Sequence, residues 1–566
     1  MMTMKKRYTL LYTAFALLIL SLASCEDMLT EKPNSSYDKD GFFESEAKAE
    51  MAVMGIYSSI SDYRHYGWYE MASMASDDTY YLARTGSDNT VKDMTHYTVN
   101  STNEWVKMLW QLKYQGLDRA NMAIDGIEHM PGYADSKKLM ALAAEARFLR
   151  AFLAFDLVKS WGDVPFKTTY SASYDEAFTG RVNREDIYDQ IITDLDFAKT
   201  HTDWATASSS PERVTQGAAR ALLMRVYLQR AGYSLQQDGQ LTRPDDNTRK
   251  KYFDAVIAEW DAFQAEGTYH DFYAGGYEAL FKGFSEGQLN SQESLFEISF
   301  YHQQGSRNGG AWGIYNGPLV AEPTGIAPSE ATNYMGRANG FFITVPEWKN
   351  FFEENDVRRD VSICTYRFVW KNKQHVKEER GAGSWYPGKW RREWMSAESR
   401  NKNMNYGDVN YCALRYADVV LMAAEAYNET DNTPQAWTLL NSVRQRAGAT
   451  PYTSDNYDQL MANRKKTHNL PFITDGDEQG RFRTALYWER GFELSFEGQR
   501  KFDLIRWGVL ADALKLFGEK SSVNKKENKP YPAYQNFVKG KNELLPIPLI
   551  EIQSNPKLEG KNNPGY

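Results

Sequence analysis

Cysteine is rare in this sequence of 566 residues, which contains only Cys25, Cys364 and Cys412. A chain of this length buries enough apolar surface to fold without covalent cross-links, so a disulfide-scaffold protein is excluded. Cys364 and Cys412 could pair in an oxidising compartment or remain buried free thiols, and the sequence leaves both possibilities open.

An excess of positive charge is also missing. The chain has 66 basic and 74 acidic residues, a net charge of −8. Nucleic-acid-binding proteins carry a basic patch or stripe, so we predict no nucleic-acid partner. The sequence has no H-E-x-x-H motif, no paired C-x-x-C motif and no P-loop, and its eight histidines show no ligand spacing. We therefore predict neither a metal site nor a cofactor.

Two short motifs that could indicate catalysis or calcium binding lack the context they need. Residues 283–287, GFSEG, match the G-x-S-x-G pattern, but no buried strand precedes them. Residues 475–480, DGDEQG, begin like a calcium loop, but Leu486 stands at the twelfth position, where such a loop requires Glu. We expect neither motif to form the corresponding site.

Only one long apolar run exists, at residues 8–22, and the basic residues Lys5, Lys6 and Arg7 precede it. The run is short for a transmembrane helix and ends in Leu-Ala-Ser-Cys at residues 22–25, as a lipoprotein signal does. We predict cleavage before Cys25 and attachment of acyl chains to it. Without the three basic residues, the mature chain has 63 basic against 74 acidic residues, a net charge of −11.

Helical periodicity dominates both ends of the mature chain. Predicted helices cover residues 45–60, 105–130, 136–161, 187–198 with Asn183 as the N-cap, 214–231, 414–428, 434–447 and 483–496. Small and large residues four apart, such as Ala144 and Phe148, let neighbouring helices dock. The fold class we predict is mainly α, with tetratricopeptide-like helix pairs as a scaffold, a loop-rich ligand-binding region and few short strands. One such strand is expected at residues 294–300.

The expected organisation has a signal peptide at residues 1–24, a flexible tether at 25–40 and a single domain at 41–566. Within that domain, residues 41–264 form an N-terminal helical part, 265–410 a loop-rich part and 411–566 a C-terminal helical part. Long irregular segments on a rigid scaffold are where binding residues concentrate, although packed decoration is the alternative.

Several longer motifs are spread along the mature chain. They are EARFLRAF at 145–152, WGDVPF at 161–166, TQGAARAL at 215–222, LRYADVVL at 414–421, NSVRQRAG at 441–448, FEGQR at 496–500, RWG at 506–508, LPIP at 545–548 and NPGY at 563–566. Together these motifs resemble the SusD/RagB family of outer-membrane lipoproteins. Glu489, Arg490, Glu493 and Arg500 lie among aromatic residues, and we predict that they bridge helices as ion pairs. The Pro-Ile-Pro turn and the NPGY end are expected to dock the C-terminus.

The resemblance implies a cell-surface binding lipoprotein, not an enzyme, with an α-helical fold. It implies capture of an oligosaccharide or polysaccharide and delivery to a SusC-like TonB-dependent transporter in the outer membrane. The acidic Glu26 and Asp27 resemble an export signal, so the implied location is the outer membrane, lipid-anchored through Cys25 and facing the cell exterior. Binding of peptides on the same scaffold, as in the RagB branch, is the alternative, and a lipid-anchored glycoside hydrolase is less favoured. Its carboxylate pair would be defined by spatial separation, which a sequence does not reveal.

Candidate ligand-binding residues come from the segments that correspond to ligand-contacting loops of the family. Sugar rings need flat aromatic faces and a few fixed polar groups. We predict ring contacts or polar contacts from Asp78, Tyr80, Tyr97, Asn100, Tyr301, Trp312, Tyr315 and Tyr334. Tyr97, Trp312 and Tyr315 are the preferred platforms, with Asp78 and Asn100 as partners for hydroxyl groups.

Overall fold

Antiparallel helix pairs form most of the structure. The structure is a computed structural model, and it describes residues 39–73, 75–81, 89–171, 173–302, 307–325, 334–397, 400, 406–465, 476–520, 522–524, 529–530 and 532–566. The predicted signal peptide, Cys25 and nearly all of the predicted tether lie outside these residues. The α-helices before the predicted loop-rich part are α1 Lys39–Phe42, α2 Glu46–Ile60, α3 Tyr69–Ser73, α4 Asn89–Thr95, α5 Glu104–Glu128, α6 Lys137–Trp161, α7 Arg184–His201, α8 Gln216–Ala231 and α9 Asp246–Ala265.

The remaining helices lie in the middle and C-terminal parts. They are α10 Tyr277–Glu286, α11 Arg358–Ser362, α12 Tyr416–Glu429, α13 Thr433–Arg446, α14 Tyr457–Lys465, α15 Glu478–Glu493, α16 Arg500–Arg506, α17 Leu510–Lys520, α18 Pro532–Asn536 and α19 Leu549–Ser554. Neighbours in sequence pack together, notably α5 with α6, α6 with α7, α8 with α9 and α12 with α13. The predicted mainly α fold with helix pairs is confirmed.

The helix starts follow local capping chemistry. Ser45, Ser136 and Asn183 each accept a hydrogen bond from a backbone N–H of the first helical turn, as an N-cap side chain does. Two predicted helices had wrong boundaries. Leu414 belongs to a strand rather than to the following helix. The helix predicted at 483–496 is α15, which begins at Glu478, where the Asp477 side chain caps the Gly480 N–H, and ends at Glu493. The pairing of that strand with a distant segment overrides its helical periodicity.

Short strands form separate two-stranded antiparallel sheets. Their pairs are β1 Thr79–Tyr81 with β7 Phe342–Thr344, β2 Val164–Pro165 with β3 Arg181–Val182, β4 Ser234–Leu235 with β5 Leu241–Thr242, β6 Ser294–Ile298 with β12 Tyr411–Arg415, β8 Ile363–Cys364 with β11 Tyr386–Pro387, β9 Tyr366–Lys371 with β10 Gln374–Glu379, and β13 Ser522–Asn524 with β14 Lys529–Pro530. The strand predicted from residue 294 is therefore present. Pair β1–β7 joins an N-terminal loop to the loop-rich part, with Thr79 opposite Thr344.

Buried ion pairs hold the C-terminal helices to the loop-rich part. Glu489 and Glu493 on α15 are fully buried. Arg358 reaches Glu489 at 2.6 Å, Arg444 reaches Glu489 at 2.9 Å and Arg415 reaches Glu493 at 2.6 Å. The surrounding arginines hold the pKa of Glu493 well below its usual range despite its burial. The predicted bridging role of these charges is confirmed.

The C-terminus docks against helix α6, as predicted. The indole N–H of Trp161 donates to the Pro546 carbonyl at 2.9 Å, and the Asn563 side chain donates to the carbonyls of Trp161 and Leu545. Arg181 also contacts the Asn563 side chain. The chain end therefore closes onto an N-terminal helix and adds to one hydrophobic core that draws residues from both helical parts.

Cys364 and Cys412 are buried free thiols, so they do not form a disulfide. Burial raises the pKa of the Cys364 thiol to about 11 and the pKa of Cys412 well above its usual range. Ser285 of the G-x-S-x-G match lies inside helix α10, and its hydroxyl donates to the Phe281 carbonyl, so no nucleophile elbow forms. Within the described part of the chain, no helix is long and apolar enough to cross a membrane.

Candidate functional site

Aromatic side chains from five separate segments meet beside the N-terminal helices. We call this set the aromatic cluster, and its members are Tyr63, Trp68, Tyr69, Trp105, Tyr315, Phe341 and Tyr406. Trp105 and Tyr315 are buried and form its base, whereas the other five rings are half-buried. The cluster therefore offers ring surface to solvent on a base that packing holds in place.

Ring-on-ring contacts fix the orientation of the cluster. Tyr69 stacks on Trp105 with 3.8 Å between ring centroids and 6° between ring planes. Trp68 lies 4.4 Å from Trp105 and 4.4 Å from Tyr315, at tilted or edge-on angles. The Tyr63 hydroxyl donates to the Tyr315 hydroxyl at 3.0 Å. Because each ring limits the rotation of its neighbours, little side-chain entropy remains to be lost when a ligand binds.

The backbone of the cluster has an unusual local conformation. Residues Tyr63–Gly67 form a kinked helical turn, and Asp62 caps it by accepting the Arg64 N–H at 2.7 Å. The kink lies at His65, which has φ −110° and ψ −115°, outside the helical region.

A buried ionic group lies directly under this turn. The Lys113 ammonium is 3.1 Å from Glu70, 3.0 Å from Asp156 and 3.1 Å from the His65 Nε2 atom. The Tyr66 hydroxyl donates to Asp156. Burial opposes the charge of Lys113, but the two carboxylates raise its pKa above the ordinary value. We call these residues the Lys113 group, and it ties residues 65–70 to helices α5 and α6.

The protonation of His65 follows from its partners. Burial, and then the charge of Lys113, lower the pKa of His65 to about 3, so the ring is neutral. Its Nδ1 lies 2.9 Å from the Ser59 carbonyl, which only accepts, so Nδ1 carries the proton and Nε2 accepts from Lys113. His65 is thus held from both sides of its ring.

The predicted ligand residue Asp78 is buried, and its carboxylate accepts hydrogen bonds from within the protein. It is 3 % exposed, and its carboxylate accepts the Phe496 N–H at 3.0 Å and the Ser76 hydroxyl at 3.1 Å. Burial, and then the neighbouring charge of Asp77, raise the pKa of Asp78 to about 6. Asp78 borders a cavity of about 20 Å³, which is the size of a water molecule rather than of a sugar.

Three predicted aromatic residues are packed inside the protein. Trp312 is 2 % exposed, stacks on Tyr411 at 4.5 Å and donates its indole N–H to the Tyr66 carbonyl. Tyr97 is buried, and its hydroxyl donates to the Ala75 carbonyl. Tyr334 is buried against His375. Neighbouring residues pack against these three rings, so in this conformation they are not surface platforms.

The structure brings one predicted platform, Tyr315, into the base of the aromatic cluster. Tyr301 is 49 % exposed, and Asn100 is exposed with its side-chain oxygen accepting from both the backbone N–H and the hydroxyl of Thr102. Tyr80 pairs with Ile343 through the backbone in sheet β1–β7, and its side chain lies outside the described residues, as does Cys25. Ligand contact by Tyr80, Asn100 and Tyr301 stays a prediction.

Tyr63, Trp68 and Tyr69, three half-buried members of the cluster, were not among the residues predicted from the sequence. They lie in residues 63–69, YRHYGWY, where four of seven residues are aromatic. That local density was the available signal.

Comparisons with known proteins agree across nearly the whole chain. A family model described as "SusD family" matches residues 292–566, and one described as "Starch-binding associating with outer membrane" matches residues 27–228. A SusD-like protein of Formosa agariphila is 28% identical over 577 residues, which covers 98% of this chain and 99% of that protein.

Solved structures show the same architecture. A SusD homolog from Bacteroides thetaiotaomicron superposes with a TM-score of 0.75 at 25% identity, covering 93% of this chain and 98% of that one. A protein described as a laminarin-binding SusD-like protein has a TM-score of 0.64 at 22% identity, covering 92% of this chain and all of that one, and shares the fold.

The helix-pair scaffold and the two matching family models define a class of SusD-like glycan-binding proteins associated with the outer membrane. This chain belongs to the SusD family. The resemblance seen in its sequence motifs is therefore confirmed, and the family consists of binding proteins.

Proposed function

We propose that this protein captures oligosaccharides at the aromatic cluster on the cell surface and delivers them to a SusC-like TonB-dependent transporter. The observation that carries the proposal is the set of half-buried rings on a rigid base, with Tyr69 stacked on Trp105 at 3.8 Å. A pyranose ring has an apolar C–H face that packs on aromatic rings, and this contact needs no net charge. Membership of the SusD family and a laminarin-binding neighbour of the same fold support this assignment.

Polar groups at the rim of the cluster would orient the sugar hydroxyls. Arg64 is about half exposed and is held by both oxygens of Asp62, so it is a fixed donor. We assign Asn100 and Tyr301 as further hydroxyl and ring contacts, because both side chains are exposed. We assign no catalytic role to any of these groups, so release of the glycan would occur by dissociation.

Membrane attachment in this proposal depends on Cys25. Acyl chains on Cys25 would anchor the protein in the outer membrane facing the exterior, and residues 26–36 would provide the slack for opening over the transporter. Deleting residues 26–36 while keeping Cys25 should reduce glycan uptake by cells more than it reduces glycan binding by purified protein. Equal loss of both would contradict the tether role, and co-purification of the transporter with the wild-type protein tests the partnership.

Affinity electrophoresis of the mature protein with Cys25→Ala, on gels containing starch, laminarin and other glycans, tests the binding site. Tyr63→Ala and Tyr69→Ala should each weaken binding about tenfold, because one stacked ring contributes roughly 1 kcal/mol or more. Tyr174→Ala is the matched control, since Tyr174 is 74 % exposed on an unrelated loop.

Absence of retardation on every glycan would contradict the proposal, as would an equal loss in the Tyr174 variant. Mass spectrometry of ligand trapped in the co-purified complex then distinguishes glycan from peptide. Finding peptides there would favour the peptide-binding alternative.

A further inference from the structure

A pocket of about 250 Å³ lies away from the aromatic cluster, between helix α10 and the loops on either side of it. Its lining includes Tyr269, Tyr273, Gly283, Leu289 and Asn290. None of its lining residues belongs to the aromatic cluster or the Lys113 group.

The lining of this pocket contains no charged side chain, although a quarter of the chain is charged. Two half-buried tyrosines, Tyr269 and Tyr273, face it with Leu289, which is 48 % exposed. Among the described residues, the hydroxyls of both tyrosines have no hydrogen-bond partner. A charged ligand would lose its hydration without gaining a counter-ion here, so the pocket favours a neutral ligand.

An unsatisfied donor lies in the pocket wall. The Asn290 side-chain oxygen accepts the Gln292 N–H at 2.9 Å, which fixes the orientation of the amide. Its Nδ2 atom is shielded from solvent and has no hydrogen-bond partner within the described structure. A buried donor without a partner costs free energy that an acceptor on a ligand would recover.

We propose that this pocket binds a single neutral pyranose residue, as a second sugar site separate from the aromatic cluster. The tyrosine rings and Leu289 would contact the C–H face of the sugar, and the Asn290 Nδ2 and the tyrosine hydroxyls would bind its hydroxyl groups. Pockets for larger organic ligands measure roughly 300–1,000 Å³, so a space of about 250 Å³ suits one sugar ring.

Gly283 offers a way to fill the pocket without unfolding the protein. It lies in helix α10, and a Cβ there would be 3.6 Å from Gln288 Oε1, an ordinary contact. Leucine is a better helix former than glycine, so Gly283→Leu should fold normally while its side chain occupies the pocket. Gly55→Leu is the matched control, because a Cβ at that helical glycine would meet nothing within 4 Å.

Saturation-transfer NMR with methyl glucopyranoside, galactopyranoside and mannopyranoside tests the proposal in a Tyr63→Ala/Tyr69→Ala background, where the aromatic cluster is disabled. At least one pyranoside should still bind. Adding Gly283→Leu or Asn290→Asp, which keeps the acceptor for Gln292 but removes the donor, should weaken binding about tenfold or more. Gly55→Leu should leave binding unchanged.

Absence of pyranoside binding in the cluster-disabled protein would overturn the second site but leave the proposed function intact. Unchanged binding after Gly283→Leu would also overturn it. The opposite outcome has two parts: pyranoside binding depends on Gly283 and Asn290, and the Tyr63 and Tyr69 changes have no effect on glycan retardation. That outcome would refute only the role of the aromatic cluster.

Discussion

Removing the Lys113 ammonium should destabilise the protein and loosen the turn that carries the aromatic cluster. Lys113 has three N–H donors, and all three are used, by Glu70, Asp156 and His65. The Lys113 side chain is fully buried, and the two carboxylates are 1 % exposed. Lys113→Met keeps most of the side-chain volume but leaves the carboxylates without their shared cation.

The free-energy cost of losing the Lys113 ammonium differs between the two carboxylates. Asp156 keeps Lys159, whose ammonium is 2.5 Å away, and the Tyr66 hydroxyl. Glu70 keeps the Ser73 hydroxyl as its hydrogen-bond partner and loses the ammonium. Breaking a buried ion pair on one side costs about 3–5 kcal/mol, because a charge remains buried. At about 2 cal/mol/K per residue, the unfolding entropy of the mature chain is roughly 1.1 kcal/mol/K, so Tm should fall by about 3–4 °C.

Differential scanning calorimetry of wild type, Lys113→Met and Lys113→Met/Glu70→Gln measures this effect. The double variant removes the stranded charge and should recover at least half of the lost stability. Lys137→Met is the surface control, because Lys137 and its partner Asp203 are each about four-fifths exposed and such pairs contribute less than about 1 kcal/mol. A fall in Tm no larger than that of the control, or a double variant less stable than the single one, would refute the reasoning.

Two further predictions concern other buried titratable groups. Burial raises the pKa of Glu297 to about 7, so its protonated form is favoured in the folded state and stability is lost as pH rises from about 4.5 through 7. Urea unfolding at pH 5 and pH 8 measures this loss of unfolding free energy. Glu297→Gln should reduce the loss by about 3 kcal/mol, whereas the exposed control Glu278→Gln should not change it. An unchanged pH dependence in Glu297→Gln would contradict the assignment. Cys364 and Cys412 should react with a thiol reagent only after unfolding, and reductant should leave Tm unchanged; native-state labelling or a reductant-sensitive Tm would contradict this.

The helical scaffold was largely predictable from the sequence. Ser45, Ser136 and Asn183 mark helix starts because a capping side chain acts on the backbone N–H groups of the next turn. The exceptions have non-local causes. Leu414 reads as helical, but its segment pairs with strand β6, more than 100 residues earlier in the chain.

The candidate site was predictable only in part. The loop-rich middle does contribute Tyr315, and the exposed Tyr301 and Asn100 stay predicted contacts. Trp312 satisfied the same sequence criteria as Tyr315, and both are buried, but Trp312 packs between Tyr411 and Trp390 whereas Tyr315 packs against Trp68 in the base of the cluster. The partners of an aromatic residue in a Gly-rich loop depend on which distant segment covers it.

By itself, the sequence determined the family, the positions of most helices and the ionic character of residues 489–500, whereas the lipoprotein signal ending at Cys25 stays a prediction. These follow from patterns within one turn or from motifs of adjacent residues. Tertiary structure alone decided that Cys364 and Cys412 remain unpaired and that Tyr63, Trp68 and Tyr69 present ring surface while Trp312 does not. Burial and ring orientation depend on contacts between segments up to several hundred residues apart, and no local pattern encodes such contacts.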